Sequence, residues 1–389
     1  MNKKLIPILI GFIIAVSEAA TDVYAPNLPV ISEFFKVNEE LTTLTMSLYL
    51  IGIALSALIY GPLSDYYGRK PILTISLYIF TFGNFLGLFA NSIGLLIFIR
   101  FIQGIGAGSA LILGMSIIND LYDTKKSSKV WSKVSLVMGL SSAVTPIIGS
   151  FIAKSSDWKL VFNLLAFISF LILLFTYKYL PETNRNLSKQ FSLKNIIIKY
   201  RIALNNRHFL IFAFIKVITI FWFLGEISNL PFIYLEGMNL PVEQYGYFYA
   251  FGVGMYILGN IFNKKYVTYY GVNKMLQIGI YLTLTTGVSL IVSSYFFTLT
   301  PIVAQVLKIP AGIGLALILD NATVKALEYT NRNTGAHAAL MGASEMLFGS
   351  LGVIIISQFY NGTMLPIGIM ITTASLIAFI LNHYKRNFI

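Results

Sequence analysis

The chain alternates between long apolar runs and short polar turns. Runs fall near residues 5–25, 41–60, 72–90, 93–115, 131–153, 160–180, 209–232, 244–262, 275–294, 298–319, 334–358 and 363–382. Each holds about the ~20 residues that a helix needs to cross the hydrocarbon of a bilayer. The pattern predicts an all-α membrane protein of twelve transmembrane helices, with both ends on one face. The longest polar interruption, residues 181–208, is rich in Asn, Lys and Arg and leaves six runs on either side. It predicts two six-helix bundles, 1–180 and 209–389, joined by a linker loop.

The two halves carry the same landmarks in the same order. Asn27-Leu28-Pro29-Val30-Ile31 ends the first run and Asn229-Leu230-Pro231-Phe232-Ile233 ends the seventh. Tyr66-Tyr67-Gly68 follows the second run and Tyr269-Tyr270-Gly271 follows the eighth. Asn27 to Gly68 spans 41 residues, and Asn229 to Gly271 spans 42. This spacing argues for a duplicated six-span unit. Paired halves with a solute site near the bilayer midplane are a transporter architecture. The repeat has diverged in charge: Asp65, Arg69 and Lys70 correspond to Thr268, Val272 and Asn273.

Composition agrees with the spans. Hydrophobic residues make up 56% of the 389 and charged residues 11%, with mean hydropathy +0.75. A soluble domain carries about a quarter charged residues. The net charge of +12 would suit a nucleic-acid binder, but the basic residues sort by loop. Lys3, Lys4, Arg69, Lys70, Lys125, Lys126, Lys129, Lys133, Lys178, Lys264, Lys265, Lys274, Lys325, Arg332, Lys385 and Arg386 fall on one face. The loop 181–208 adds Arg185, Lys189, Lys194, Lys199, Arg201 and Arg207 to that face. The other face has Lys36, Lys154 and Lys159. The positive-inside rule then places both termini and the long loop in the cytoplasm, against anionic headgroups rather than nucleic acid. The first run holds Glu18 and Asp22 and is followed by eleven more, so it reads as a span and not as a cleaved signal.

Other classes find little support. The chain has no cysteine, and His208, His337 and His383 form no H-E-x-x-H pair, so no metal or cofactor is expected. There is no G-x-S-x-G and no phosphate-binding loop, which argues against an enzyme and against coupling to ATP. Duplicated halves with charged, broken spans favour alternating access over an open channel.

Charges inside the spans are costly and are functional candidates by default. Arg100 lies about seven residues into the fourth span, and Glu18 and Asp22 lie four apart on one face of the first. Equal depth brings a Glu18–Arg100 or Asp22–Arg100 contact within reach. A carboxyl in a low-dielectric site beside an arginine is one that can load and release a proton. Glu226, Lys308 and Glu345 lie inside spans of the second half, while Lys216 and Asp320 lie nearer the cytoplasmic face and can snorkel. Lys308 and Glu345 fall mid-depth in consecutive spans, where they read either as a structural ion pair or as solute-binding groups. Glu226 stands opposite Tyr24 in the repeat. As an unpaired carboxylate it would favour a cationic or zwitterionic solute; as an outer-rim residue it would simply be solvated.

Six stretches carry a resemblance. The turn Gly61-Pro62-Leu63-Ser64-Asp65-Tyr66-Tyr67-Gly68-Arg69-Lys70-Pro71 resembles the loop signature of the major facilitator superfamily, and Arg100-Phe101-Ile102-Gln103-Gly104-Ile105-Gly106-Ala107 its fourth-span signature. Gly139, Pro146 and Gly149 fit that family's antiporter motif, with Thr145 and Ser150 replacing glycines. Thr21-Asp22-Val23-Tyr24-Ala25-Pro26-Asn27-Leu28-Pro29, Asp157-Trp158-Lys159-Leu160-Val161-Phe162 and Leu180-Pro181-Glu182-Thr183 resemble strings of the bicyclomycin/chloramphenicol resistance (Bcr/CflA) drug exporters. The resemblance implies proton-coupled export of small amphiphilic compounds by a monomer in a bacterial inner membrane. It implies a conformational latch of Gly61, Asp65, Gly68, Arg69 and Lys70, proton coupling through Glu18, Asp22 and Arg100, and solute contacts from Tyr24, Gln103, Glu226, Lys308 and Glu345. The charges of the second half depart from the family. They leave open a charged or zwitterionic metabolite or siderophore, moved by export or uptake.

Overall fold

A computed structural model describes residues 5–184, 187, 192–328, 330 and 334–384. Lys3, Lys4, Arg185, Lys189, Arg332, Lys385 and Arg386 lie outside the described residues, as do the side chains of Lys125, Lys126 and Lys129. The chain divides into two compact units, residues 1–196 and 197–389. All regular structure among the described residues is helical.

In the first unit, α1 (Ile6–Asp22) passes through a 3₁₀ turn at Ala25–Asn27 into α2 (Leu28–Phe35). Then come α3 (Glu39–Tyr67), α4 (Arg69–Gly87), α5 (Ile93–Ala107), α6 (Ala110–Leu121), α7 (Thr124–Lys154) and α8 (Lys159–Tyr179). The second unit begins within α9 (Leu193–Leu204) and continues as α10 (Arg207–Pro231), a π-helical turn at Phe232–Gly237, and α11 (Val242–Phe296). It ends with α12 (Pro301–Leu307), α13 (Ile309–Leu327), α14 (Thr334–Gln358) and α15 (Leu365–Tyr384).

Among the described residues, ten helical stretches are long and apolar enough to cross a bilayer. One of them, α11, is 55 residues long and bends at Gly271, so it supplies two spans. The twelfth is α4, which opens on Arg69-Lys70-Pro71 and packs between α5 and α8. The fold is thus a pair of six-helix bundles. α1 packs on α7, α3 on α5, α10 on α13, α14 and α15, and α11 on α13 and α15.

Glycine lets α5 touch two neighbouring helices by their backbones. A Cβ on Gly104 would run into the Tyr49 carbonyl of α3, and one on Gly106 into Phe80 of α4. Gly104-x-Gly106 is therefore a packing stripe of the kind small residues form between transmembrane helices. The turn at Gly61–Pro71 is shorter than its sequence suggests. α3 continues through Pro62 to Tyr67, and Gly68 alone reverses the chain. Its φ of +101° and ψ of 155° recur at Gly271, with φ +78° and ψ 158°. The duplicated landmark is a duplicated backbone conformation.

Candidate functional site

Arg100 sits on α5, eight residues beyond the Ser92 N-cap, and is fully buried. A guanidinium removed from water must find partners. The rings of Tyr24 and Tyr49 cover it, each centroid 4.2 Å from Cζ. Nη1 donates to Ala20 O at 3.1 Å and to Gln103 Oε1 at 2.6 Å. Gln103 Nε2 then donates to Asn84 Oδ1 at 2.6 Å. The tyrosines are themselves fixed: Tyr24 donates to Thr45 Oγ1 at 2.8 Å and Tyr49 to Ser17 O at 2.6 Å. Arg100 thus reaches the α1 backbone between Glu18 and Asp22. Its hydrogen bonds go to a carbonyl and an amide rather than to either carboxylate, and Nε and Nη2 make none. Ala20, which accepts from Arg100, lies two residues from each acid along α1.

At the turn between α3 and α4 the charges do meet. Arg69 Nη1 lies 2.6 Å from Asp65 Oδ1 and donates to Ser64 Oγ at 2.6 Å. Arg69 Nε lies 3.2 Å from Asp120 Oδ2, which also accepts from Thr183 Oγ1 at 3.2 Å. Glu182 caps the start of α4, taking Arg69 N on Oε1 at 3.0 Å and Lys70 N on Oε2 at 3.1 Å. The Lys70 side chain stands apart from this network, its Nζ 5.8 Å from the Tyr177 ring centroid. Gly68 has a steric reason to be glycine, since a Cβ there would collide with the Glu182 carboxylate. Gly61 does not: a Cβ there would find only ordinary contact with Ile112, at 3.7 Å.

In α7, Gly149 packs against the Val23 carbonyl at the end of α1, and Asn27 Nδ2 donates to Gly149 O at 3.1 Å. Pro146 lies inside the helix, where its missing N–H frees a backbone carbonyl. Gly139 has nothing within 4 Å of where a Cβ would sit.

The second half overturns three expectations. Lys308 does not pair with Glu345. Lys308 Nζ lies 2.6 Å from Glu226 Oε1, and Glu345 Oε1 lies 2.8 Å from Lys216 Nζ. The reason is packing: α10 runs against both α13 and α14 and reaches the charge on each. Lys216 is therefore a paired residue and not a snorkelling one. Glu226 is 5% exposed, so it is neither an unpaired carboxylate nor a solvated rim residue. Asp320 accepts from Asn263 Nδ2 at 3.1 Å, and Asn321 Nδ2 donates to Asn263 Oδ1 at 2.8 Å.

Residues 10–357 match the family model of the Major Facilitator Superfamily. The chain belongs to that superfamily. It is 24% identical over 365 residues to a bicyclomycin resistance protein homolog of Haemophilus influenzae, covering 92% of this chain and 90% of that one. It is 26% identical over 337 residues to the multidrug transporter MdfA of Edwardsiella ictaluri, covering 85% and 81%. The xylose transporter XylE from E. coli, in a partially occluded inward open conformation, superposes with a TM-score of 0.75 at 14% identity, covering 99% of this chain and 97% of that one. This superfamily consists of membrane transporters for small molecules, not enzymes.

In this superfamily member, the sequence singled out Asp65 and Arg69 but not Asp120 or the capping role of Glu182. Asp120 had a signal, an acid closing the apolar run Ile117-Ile118-Asn119-Asp120. The Glu182 signal was only the Leu-Pro-Glu-Thr string at the end of the sixth span.

Proposed function

We propose that the chain exports small amphiphilic molecules in exchange for protons, by alternating access of its two bundles, 1–180 and 209–389, about the linker 181–208. The observation that carries this reading is Arg100, a fully buried cation with two unanswered N–H edges, bound to the α1 backbone between Glu18 and Asp22. An acid in that segment gains a partner when it loses its proton and loses it again when it reloads. Tyr24 and Gln103 hold the cation in place and line the same cluster. Relatives named for multidrug and bicyclomycin resistance support a drug-like solute. Asp65 and Arg69 would latch one end of the first bundle during the cycle, with Gly149 and Pro146 shaping the α1–α7 contact. The basic loops support a bacterial inner membrane with both termini inside.

Inverted vesicles with a pH-sensitive dye test the coupling. Glu18→Gln and Asp22→Asn should each impair solute-stimulated proton release, and the double variant should abolish it. Unchanged pH dependence in the double variant would remove the acids from the mechanism. Asn91→Cys, in this cysteine-free chain, should label from outside intact cells and Lys199→Cys should not. A second reading, movement of a charged or zwitterionic solute, is favoured by the Glu226–Lys308 and Lys216–Glu345 pairs buried in the second half.

A further inference from the structure

Lys308 holds in the second half the place of Arg100 in the first. Ser92 and Thr300 are N-caps that accept from Leu95 N at 3.3 Å and Val303 N at 3.4 Å. Each cation follows its cap by eight residues, and Gly104-x-Gly106 and Gly312-x-Gly314 follow the cations at one common interval. On the first helix of each half, Tyr24 and Glu226 also match, three residues before Asn27 and Asn229. The aromatic face that meets Arg100 is thus replaced by a carboxylate that meets Lys308 at 2.6 Å.

The fold does not require this exchange. A buried ion pair is commonly no more stabilising than apolar residues of the same volume. The first half keeps its cation at the same register with ring faces, a carbonyl and an amide. Both charges also adjoin a break in their spans. Glu226 lies on the last turns of α10, before the π-helical turn at Phe232–Gly237, and Lys308 joins α12 to α13 ahead of Pro310. Transporters place solute sites at such breaks, and π turns gather at functional sites. Neutral groups brace the pair. Tyr234, whose ring centroid lies 5.6 Å from Lys308 Nζ, donates to Gln305 Oε1 at 3.0 Å, and Gln305 Nε2 donates to Phe248 O at 3.0 Å. The side chains of Lys308 and Glu226 keep 14% and 7% of their surface exposed, so the pair has an open edge.

We propose that Glu226 and Lys308 form a receptor for a zwitterionic head group of the α-amino-acid type. The pair trades its mutual contact for the solute's ammonium on Glu226 and its carboxylate on Lys308. This rests on the reading of the chain as a small-molecule transporter. Only a solute with both charges leaves neither residue stranded. A cation alone would take Glu226 and leave a buried ammonium without its counter-charge; an anion alone would strand the carboxylate. Charges one carbon apart fit beside groups that themselves lie 2.6 Å apart. Charges at opposite ends of a long molecule do not.

Phenylalanine, its methyl ester and N-acetylphenylalanine share a ring and differ in charge. Calorimetry on the purified full chain should show the zwitterion binding at least tenfold tighter than the other two. Glu226→Gln should shift preference toward the N-acetyl anion, and Lys308→Met toward the cationic ester. The double variant strands no charge, so it should fold, unfold thermally near the parent temperature and bind all three alike. A structural pair would not produce opposite shifts. Equal or absent binding of the three by the parent chain, or a zwitterion preference that survives the double variant, overturns the proposal. Binding reads the site directly. A chain that bound as expected yet moved no solute in proteoliposomes would sink the transport reading and sustain this one.

Discussion

The turn between the second and third spans and the turn between the eighth and ninth share a backbone and differ in what is attached to it. Gly68 and Gly271 adopt the same positive-φ conformation, with ψ of 155° and 158°. Around Gly68, the Glu182 carboxylate, Arg69 and two aspartates close on one another. Around Gly271, a Cβ would meet nothing within 4 Å, and Thr268, Val272 and Asn273 stand where the charges were. The duplication preserved what the chain trace needs and left the charges free to diverge. A glycine is demanded by the backbone in both places; the ionic network is demanded in neither and so reads as chemistry added to one turn for a purpose.

The largest expected effect separates the glycines. Backbone with φ near +100° and extended ψ is almost closed to other residues, at about 1–3 kcal/mol. Gly271→Ala should lose only that. Gly68→Ala should lose that and also displace Glu182 from the start of α4, for a total of about 3–4 kcal/mol. Thermal unfolding in detergent measures both. Equal losses would mean that the Glu182 contact contributes nothing and that the two turns are energetically the same.

The next effect is on transport. Asp65 and Asp120 hold Arg69 between them at 2.6 Å and 3.2 Å, but Asp65 is half exposed. Exposed ion pairs add about 0–1 kcal/mol to stability. Asp65→Asn should therefore leave the unfolding temperature nearly unchanged while slowing transport about tenfold, which is about 1.4 kcal/mol on the barrier. Thr268→Ala, its counterpart in the second half, should slow nothing. Full turnover in Asp65→Asn would strip the first turn of its proposed latch.

Much of this molecule is legible in its sequence. Span number follows from hydropathy because every backbone group in hydrocarbon must be satisfied within a helix. Gly68 and Gly271 were legible as a repeat because positive φ leaves a glycine behind. Arg100 stood out because a charge at its depth is expensive. The pairing of Lys308 was not legible. Consecutive spans suggested Glu345, whereas the helix that reaches both α13 and α14 is α10, and helix adjacency is a tertiary fact. The register that matches Lys308 to Arg100 was present in the sequence, in Ser92 and Thr300, but a serine or threonine is an N-cap only once the helix is seen to start there. The extent of α3 past Pro62 was hidden for a related reason, because Gly and Pro signal a turn more often than they permit a helix to continue.

The smallest effect concerns the cap that distinguishes the two turns. Glu182 Oε1 accepts from the backbone N–H groups of Arg69, Thr183 and Asn184 at 3.0, 2.9 and 2.8 Å, and Oε2 accepts from Lys70 at 3.1 Å. Two consecutive residues extend the tie, Thr183 to Asp120 and Asn184 Nδ2 to Asp65 O at 3.3 Å. Glutamine can keep a carbonyl for the three donors on the Oε1 side. Its amide would then face the Lys70 N–H, donor to donor, and the negative charge at the N-terminus of α4 would be gone. One exposed hydrogen bond and one charge–dipole contact together come to about 1 kcal/mol. Glu182→Gln should thus lower stability by about that much at low ionic strength and by less in 1 M salt, because the charge–dipole part is screened. Glu182→Ala should lose more and lose it at both salt concentrations, since it removes the acceptors as well as the charge. A salt-independent loss in the glutamine variant would show that the cap works by geometry alone; no loss in either variant would leave Arg69, Asp65 and Asp120 as the whole difference between the two turns.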